Sequence, residues 1–367
     1  MILMTPGPTP VPEFARAAMA TPTIHHRTAE FEAIFGAVRD RLKKFMRAKE
    51  VIILASTGTG AMEACVTHFA TKALTINAGK FGERWTKLAK AHGKNPTELK
   101  YDWNTPAPVN DILAALESDS AIDAVFIQIC ESAGGLRHPV EEIARAIKAK
   151  NERIFVIADG ITAVGVEPID TTHIDALITG SQKAFMLPPA MAIIGLSERA
   201  IERIEATGGA GYYFNLAIEL KNQRKNTTAW TAPTTLVQGL QAVLGEIDKI
   251  GEEKFYALTA KRHAAGIAAL NAIGAKIYPQ KPALSMLTVY HEDAANLRKW
   301  LKKEADLNAA GGQDDLKDKL IRINNMGFVA PQEIAWAINA LEIAIAKAGG
   351  RKYDGAGVKT FTENYYK

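Results

Sequence analysis

The sequence has few cysteines, no long apolar run and no basic tract, and each absence excludes a class of protein. Its two cysteines, Cys65 and Cys130, suit a reducing compartment and provide no spacing of ligands for a metal site. No run of about 18 apolar residues is present, so we expect no membrane span. A formal net charge of +4 without a basic cluster gives no indication of nucleic-acid binding.

The length and the start of the chain set further bounds. With 367 residues, of which 47% are hydrophobic and 23% are charged, it has the size and composition of a soluble protein with one or two domains. The apolar start, Met1 to Met4, is too short for a signal peptide and carries no basic residues, so we expect a cytoplasmic location.

Short apolar segments alternate with helical patterns through the first part of the chain. The clearest helix covers 28–47, where apolar side chains recur at spacings of three and four residues. This alternation predicts an α/β fold in which helices cover both faces of a largely parallel sheet. The predicted strands are 51–54, 73–76, 124–127 and 154–157.

Polar residues follow several of these strands. The loop from Ser56 to Gly60, the hydroxyl of Ser132 and the carboxylate of Asp159 all come just past the end of a predicted strand. Ligands of parallel sheets gather at the carboxyl ends of the strands. The sequence therefore predicts one cofactor site at this edge.

Asp159 and Lys183 form a pair with a particular chemical meaning. Each follows an apolar run, 154–157 for the aspartate and 176–178 for the lysine. Pyridoxal phosphate (PLP) needs a lysine amine that bonds to its aldehyde and a carboxylate that keeps a proton on its ring nitrogen. The 24 positions from Asp159 to Lys183 are enough for one crossover between neighbouring strands.

The loop Thr57-Gly58-Thr59-Gly60 has the composition of a phosphate cradle. Glycine allows close backbone approach, and the helix that follows offers free amides and a positive dipole end. No Gly-Lys-Ser/Thr follows, so it is not a P-loop of the nucleotide-binding type. Taken alone, the loop is equally well interpreted as a plain turn.

The pattern changes at about residue 246. Helices over 252–272, 293–304 and 331–348 alternate with strands at 285–289 and 320–323, which predicts a small α+β domain. The polar, glycine-containing end is predicted to be extended or disordered in part. The predicted organisation is an amino-terminal arm (1–15), a large domain (16–245), a small domain (246–348) and a polar tail (349–367).

Together these segments resemble the class V aminotransferases, particularly the serine–pyruvate and alanine–glyoxylate enzymes. The resemblance implies PLP fold type I, PLP as cofactor and a homodimer with shared active sites. It runs from about Met4 to Ala348 and is carried by Thr5–Pro12, Ser56–Ala64, Ala158–Ala163, Gly180–Ala184 and Pro188–Ala190.

The resemblance also implies roles for single residues. Lys183 and Asp159 are the catalytic pair, Phe81 stacks on the PLP ring, and Ser132 lies near its phenolic oxygen. Thr231 is implied as a phosphate ligand that the other subunit donates. The full set of implied cofactor-binding residues is Thr57, Gly58, Thr59, Phe81, Ser132, Asp159, Ile161, Gln182, Lys183 and Thr231.

Arg322 matches the family's arginine for the substrate α-carboxylate. A planar guanidinium can bind a carboxylate with two parallel hydrogen bonds. An arginine within the apolar strand 320–323 is costly to bury unless it is paired, which favours a function over a solvated face.

The segment His25-His26-Arg27-Thr28 bears on specificity. It is similar to phosphoserine aminotransferases, in which the pair matching His26 and Arg27 reaches across the dimer to the substrate phosphate. A second interpretation is structural, with Thr28 as a helix N-cap and Glu30 in the first turn. Both can hold at once.

The resemblance implies transamination in two half-reactions. Serine or alanine is the expected donor, with pyruvate or glyoxylate as acceptor; phosphoserine or aspartate with 2-oxoglutarate is the alternative. Cysteine desulfurases share the fold but need a late cysteine, and none follows Cys130. A non-catalytic assembly partner is a further alternative, which the intact Lys183, Asp159 and Arg322 disfavour.

Overall fold

The computed structural model describes residues 1–367 and contains helices and strands that largely alternate along the chain. The helices are α1 (Glu13–Met19), α2 (Ala29–Phe45), α3 (Gly58–Phe69), α4 (Lys80–Ala91), α5 (Val109–Ser118), α6 (Val140–Lys150), α7 (Glu198–Thr207), α8 (Leu216–Gln223), α9 (Thr234–Ile250), α10 (Glu252–Ala272), α11 (Ala294–Glu304), α12 (Pro331–Lys347) and α13 (Ala356–Tyr366). The strands are β1 (Ile2–Met4), β2 (Glu50–Leu54), β3 (Ala73–Asn77), β4 (Thr97–Lys100), β5 (Ala124–Gln128), β6 (Cys130–Glu131), β7 (Leu136–Arg137), β8 (Phe155–Asp159), β9 (Ala176–Gly180), β10 (Ala192–Leu196), β11 (Lys276–Ile277), β12 (Met286–Tyr290), β13 (Leu307–Ala309) and β14 (Leu320–Asn324).

A seven-stranded sheet forms the centre of the larger part of the molecule. Its strand order is β2-β10-β9-β8-β5-β3-β4, and only β10 runs antiparallel to its neighbours. The predicted α/β class with a mostly parallel sheet is therefore confirmed. The apolar run 176–178, expected to neighbour 154–157, is β9. The other two strands of the sheet were not predicted: β4, a polar edge strand, and β10, whose apolar residues are buried between β2 and β9.

Helices cover both faces of this sheet. One apolar cluster joins it to α2, α6 and α9 through residues such as Phe35, Ile143 and Leu240, and a second joins it to α3, α4 and α7. Trp85 of α4 lies fully buried against Phe126 of β5, with ring centroids 4.8 Å apart. Because both faces are covered, the inner strands consist mainly of apolar residues, as the sequence pattern indicated.

The carboxyl-terminal part has its own sheet and core. The antiparallel strands β11, β12 and β14 pack with α10, α11 and α12 around a separate apolar cluster. The start of the chain joins this part, because β1 pairs in parallel with β13. The predicted boundary between 245 and 246 falls inside α9, which continues to Ile250.

The prediction of an extended tail was wrong for most of 349–367. Residues Ala356 to Tyr366 form α13, which packs on α10 and α12 and buries Phe361 and Tyr365. The two rings stack at 5.7 Å, one helical turn apart. Phe361 and Tyr365 are the only large apolar side chains that the helix buries, and the polar residues around them hid the pattern.

None of the thirteen helices combines the length and the apolarity that crossing a membrane requires.

Candidate active site

Lys183 lies just past β9, and the amino-terminal arm crosses it. Its Nζ donates a hydrogen bond to the carbonyl oxygen of Pro6 (2.7 Å), and Thr9 Oγ1 donates to the lysine carbonyl (2.7 Å). A Cβ on Gly7 would come within 2.1 Å of the amine, and this residue has a φ of +114°. Only glycine therefore allows the arm to pass so close to the lysine.

The surroundings of Lys183 disfavour its charged form. Burial of the amine, and then the nearby Arg322 guanidinium, lower the pKa of Lys183 to about 8. An amine with this pKa is partly neutral near physiological pH, and the neutral form is the nucleophile. The environment thus supplies the activation that an ordinary surface lysine lacks.

Asp159 ends β8, the strand beside β9, and its side chain is buried. Its Oδ1 accepts a hydrogen bond from the amide of Ile161 (2.9 Å). Burial raises the pKa of Asp159 to about 6, although this amide and the charges of Arg84 and Lys183 oppose the rise. A cationic partner, such as a protonated ring nitrogen, would favour the carboxylate further.

Arg322 reaches the same site from the second sheet. It lies buried on β14, where its Nε donates to the carbonyl of Gly311 (2.7 Å) and its Nη1 to the carbonyl of Ser132. Burial lowers the pKa of Arg322 to about 10, and its charge in turn affects Lys183. The structure therefore brings Arg322, Ser132, Lys183 and Asp159 together.

The glycine loop after β2 opens helix α3. Thr57 occupies the N-cap position without making a side-chain cap, so the helix begins with amides that need acceptors. A Cβ on Gly58 would lie 2.1 Å from Ile161 Cδ1, so that position must be glycine while Ile161 packs on it. Gly58 thus contacts Ile161, whose amide donates to Asp159.

Phe81 and Arg84 extend the site onto α4. The Arg84 guanidinium lies over the Phe81 ring, 4.8 Å from its centroid, and donates to Thr59 Oγ1 (3.0 Å). Arg84 was not among the predicted site residues. Its position three residues after Phe81 on one helix is the signal that could have indicated it.

Gln182 has a buried side-chain oxygen without a partner in the chain. Its backbone carbonyl accepts from the Thr9 amide (3.1 Å), but its buried Oε1 has no hydrogen-bond partner. Buried polar atoms without partners are uncommon, and this one lies next to the proposed lysine. With the glycine loop, a buried carboxylate and a lysine of lowered pKa, these residues fit PLP.

The segment with His26 and Arg27 does not join the site within one chain. Arg27 donates to Thr227 Oγ1 (2.6 Å) and to the carbonyls of Thr228 and Ala229. His26 lies against His25, with ring centroids 4.6 Å apart. The guanidinium is thus occupied by a loop of its own chain.

Two further predictions concern Thr28, next to Arg27, and Thr231, on the loop that Arg27 contacts. The structural interpretation of Thr28 is confirmed, because it is the N-cap of α2 and accepts from the amide of Phe31 (3.3 Å). Thr231, the predicted partner-donated ligand, is exposed on the loop that Arg27 holds and makes no side-chain hydrogen bond within the chain.

Glu131 is a second residue that the sequence did not indicate. It is fully buried between Phe81 and Ser132. Burial, helped by the charge of Asp159, raises the pKa of Glu131 to about 7 against three amide hydrogen bonds that lower it. A lone glutamate after a strand shows no pattern, so only the fold could reveal this position.

Sequence comparison defines the class of this protein. A family model described as aminotransferase class-V matches residues 12–312. The chain therefore belongs to the class V aminotransferases. Enzymes of this class depend on PLP, so the predicted cofactor and the predicted transaminase class are both confirmed.

Individual relatives agree with this assignment. An uncharacterized aminotransferase of Helicobacter pylori is 51% identical and covers 100% of both chains. The soluble hydrogenase 42 kDa subunit of Anabaena cylindrica is 32% identical over 98% of this chain and 97% of its own. The L-aspartate–glyoxylate aminotransferase of Paracoccus denitrificans is 29% identical over 99% of this chain and 96% of its own.

Structural comparison gives the same fold. The aspartate aminotransferase of subgroup IV from Thermus thermophilus superposes with a TM-score of 0.88 at 29% identity, covering 95% of this chain and 99% of its own. The predicted PLP fold type I is thereby confirmed.

Proposed function

We propose that this enzyme moves an amino group between a small amino acid, serine or alanine, and a 2-oxo acid, glyoxylate or pyruvate. The observation that carries the proposal is that Lys183 and Asp159, at the ends of neighbouring strands, meet Arg322 of the second sheet. The three are close enough for the charges of Asp159 and Arg322 to act on the lysine pKa. The name of the Paracoccus denitrificans relative supports glyoxylate as acceptor.

Arg322 would bind the α-carboxylate that all these substrates share. Two of its donors now face the neutral carbonyls of Gly311 and Ser132. A carboxylate is a stronger acceptor than a carbonyl and can take two parallel bonds from one guanidinium. Substrate binding would therefore exchange weaker partners for a stronger one.

Lys183 would transfer the substrate proton, and Asp159 would hold the proton on the cofactor ring. When bound, PLP supplies an aldehyde that exchanges for an amine and a ring that withdraws electrons. Lys183 Nζ, which has a pKa of about 8, would take the proton from the substrate Cα and pass it to C4′, the aldehyde carbon of the cofactor. Asp159 would keep the ring nitrogen protonated, and Gln182 and the first turn of α3 would hold the phosphate.

A distally anionic donor, aspartate or phosphoserine with 2-oxoglutarate, is the second candidate. The names of the Paracoccus denitrificans and Thermus thermophilus proteins favour it, since both include aspartate. Arg27 would meet such a substrate in a partner's site, and to do so its guanidinium would have to exchange its bonds to the 227–229 loop for the distal anion.

The proposal includes a cytoplasmic homodimer with shared sites. The aromatic patch, defined as Tyr212, Tyr213 and Trp230, supports an interface beside the phosphate loop. Tyr212 is 74% exposed, and both tyrosine rings lie within 6.0 Å of the Trp230 ring. The Tyr213 hydroxyl donates to the carbonyl of Ala55 at the start of that loop (3.4 Å).

The test is a set of half-reactions. Protein reconstituted with PLP is mixed in turn with serine, alanine, aspartate and phosphoserine, and the loss of the bound cofactor's visible absorbance is followed. We expect fast loss with serine or alanine and none in the Lys183→Ala control. Response to aspartate or phosphoserine alone would establish the second candidate. A protein that binds no PLP and responds to no amino acid would favour a role in assembly.

A further inference from the structure

Helix α4 begins without a cap of its own. Its N-cap residue is Gly79, which has no side chain to accept from the first amides of the helix. Glu131 supplies the missing acceptor from another part of the chain. Its Oε2 accepts from the amides of Phe81 (3.1 Å) and Gly82 (2.9 Å).

The other oxygen of the same carboxylate fixes the turn that holds Arg322. Glu131 Oε1 accepts from the amide of Ala133 (3.0 Å), and the backbone carbonyl of Glu131 accepts from Gly135 (2.9 Å). Ser132, enclosed by these bonds, presents its carbonyl to Arg322 Nη1. One carboxylate thus connects the helix that carries Phe81 with the turn that holds Arg322.

The carboxylate of Glu131 lies in the space that a side chain at position 79 would need. Glu131 is 0% exposed, and a Cβ on Gly79 would lie 2.5 Å from its Cδ. Gly79 also has a φ of +156°, which other residues rarely adopt. Glycine at 79 and glutamate at 131 therefore form a fitted pair.

We propose that Glu131 is a positioning residue that sets the Phe81 ring and the Arg322 guanidinium in a fixed relation. This inference rests on the proposed functions of Phe81 as the cofactor-stacking ring and Arg322 as the carboxylate ligand. Glu131 touches neither substrate nor reacting atoms, and acts through the backbone of α4 and of the 131–135 turn.

The chain contains a matched carboxylate that caps a helix of the carboxyl-terminal core. Glu342 of α12 is also 0% exposed, and it accepts from the amides of Ala356 (3.2 Å) and Gly357 (3.0 Å) at the start of α13. That helix, too, has a glycine N-cap, Gly355. The effect of such a cap on stability alone can therefore be measured at Glu342.

The test compares Glu131→Gln with Glu342→Gln. In Glu131→Gln, one carboxylate oxygen becomes an amide NH₂ that faces another N–H donor, so at least one amide loses its acceptor. We expect PLP affinity to fall about tenfold or more and KM to rise for every amino acid tested. Glu342→Gln should lose stability while keeping the wild-type PLP affinity and KM.

A second readout does not depend on the loaded enzyme. In the cofactor-free protein, hydrogen exchange at the amides of Phe81, Gly82 and Ala133 should accelerate in Glu131→Gln and stay unchanged in Glu342→Gln. If Glu131→Gln does not fold, Gly79→Ala, which displaces the carboxylate sterically, replaces it with the same expectations.

Two outcomes would overturn the inference. One is unchanged exchange at these amides, and the other is a loss of stability in both variants with PLP affinity and KM unaltered in both. Failure of the wild type to transaminate any amino acid would count against the proposed function instead, and the exchange result would still decide whether Glu131 holds α4.

Discussion

Two features of the Lys183 environment act on its protonation: burial and the neighbouring Arg322 guanidinium. Without cofactor, the folded protein holds this amine with a pKa of about 8, against an ordinary value of 10.5. Below pH 8 folding therefore carries the cost of a charged, poorly solvated amine. Above pH 10.5 the amine is neutral in both states, and the cost is absent.

We therefore expect the stability difference between the cofactor-free wild type and Lys183→Met to change with pH. From pH 7 to pH 10 this difference should shift in favour of the wild type by about 1–2 kcal/mol. The shift is smaller than the full pKa difference would give, because the side chain is only partly buried and solvent screens its charge. Denaturant unfolding at both pH values measures it. A difference independent of pH would mean that the amine is well solvated.

Arg322 offers a test of the carboxylate assignment. Arg322→Lys replaces a two-donor fork with a point charge, so KM should rise for every amino and oxo acid, by about 1.5–3 kcal/mol in binding. Arg262 is the control, because it is also buried and donates to the backbone carbonyls of Asn325 and Gly327. Arg262→Lys should reduce stability and leave KM unchanged. A rise confined to one substrate would instead mean that Arg322 contacts that substrate's side chain.

Among single residues, the sequence predicted those that belong to a motif typical of PLP enzymes. Lys183, Asp159 and Arg322 each stand in a recognisable segment, and the structure places them together. Glu131 could not be predicted, since its role comes from contacts with the amides of Phe81 and Gly82, which are distant in sequence. For Arg84 the sequence shows only its spacing from Phe81, and the contact with Thr59 on another helix could not be predicted. Such contacts exist only once the sheet has brought the strand ends together.

Among the helices and strands, the predicted strands all bury most of their residues. Strands such as β5 and β8 are continuous apolar runs because helices cover them on either side. The edge strand β4 carries the polar residues of its exposed side and gave no such signal. Helix α13 uses only a narrow apolar stripe, so composition alone suggested a loose tail.

Phe361 tests whether α13 is an integral part of the second core. The ring is 1% exposed, so Phe361→Ala should lower the free energy of unfolding by about 3 kcal/mol, or release α13 if its docking is weaker than that. Tyr366, which is 61% exposed on the same helix, serves as control, and Tyr366→Ala should change stability by less than about 0.5 kcal/mol. Chemical denaturation with hydrogen exchange of α13 makes the comparison. Equal effects would show that the helix does not depend on this contact.

At the scale of the whole molecule, the amino-terminal arm joins the two sheets at the lysine. It starts as β1 beside β13, and five residues later Thr9 is bonded to the Gln182 and Lys183 backbone. Arg322 crosses the same gap from the opposite side. The site is therefore built between two cores, and small movements of one against the other would alter it.

The loop 227–231 makes the proposed homodimer testable through Arg27. This arginine holds the loop on which Thr231 lies exposed, and Thr231 is the residue proposed to reach the partner's phosphate site. Arg27→Ala should therefore weaken PLP binding and lower the activity on all amino acids by a similar factor. Loss confined to aspartate and phosphoserine would mean that Arg27 binds a distal anion directly.

Mixing chains then shows which site the loop serves. Lys183→Ala chains have no lysine but an intact Arg27, and Arg27→Ala chains have the lysine but a loosened loop. If the loop acts across the interface, the only lysine-bearing site of a mixed dimer receives an intact loop from its partner. Activity should recover to about a quarter of the wild-type value on random mixing, since half of the dimers are mixed and each has one intact site. Proven mixed dimers without recovery would place the effect of Arg27 in the site of its own chain.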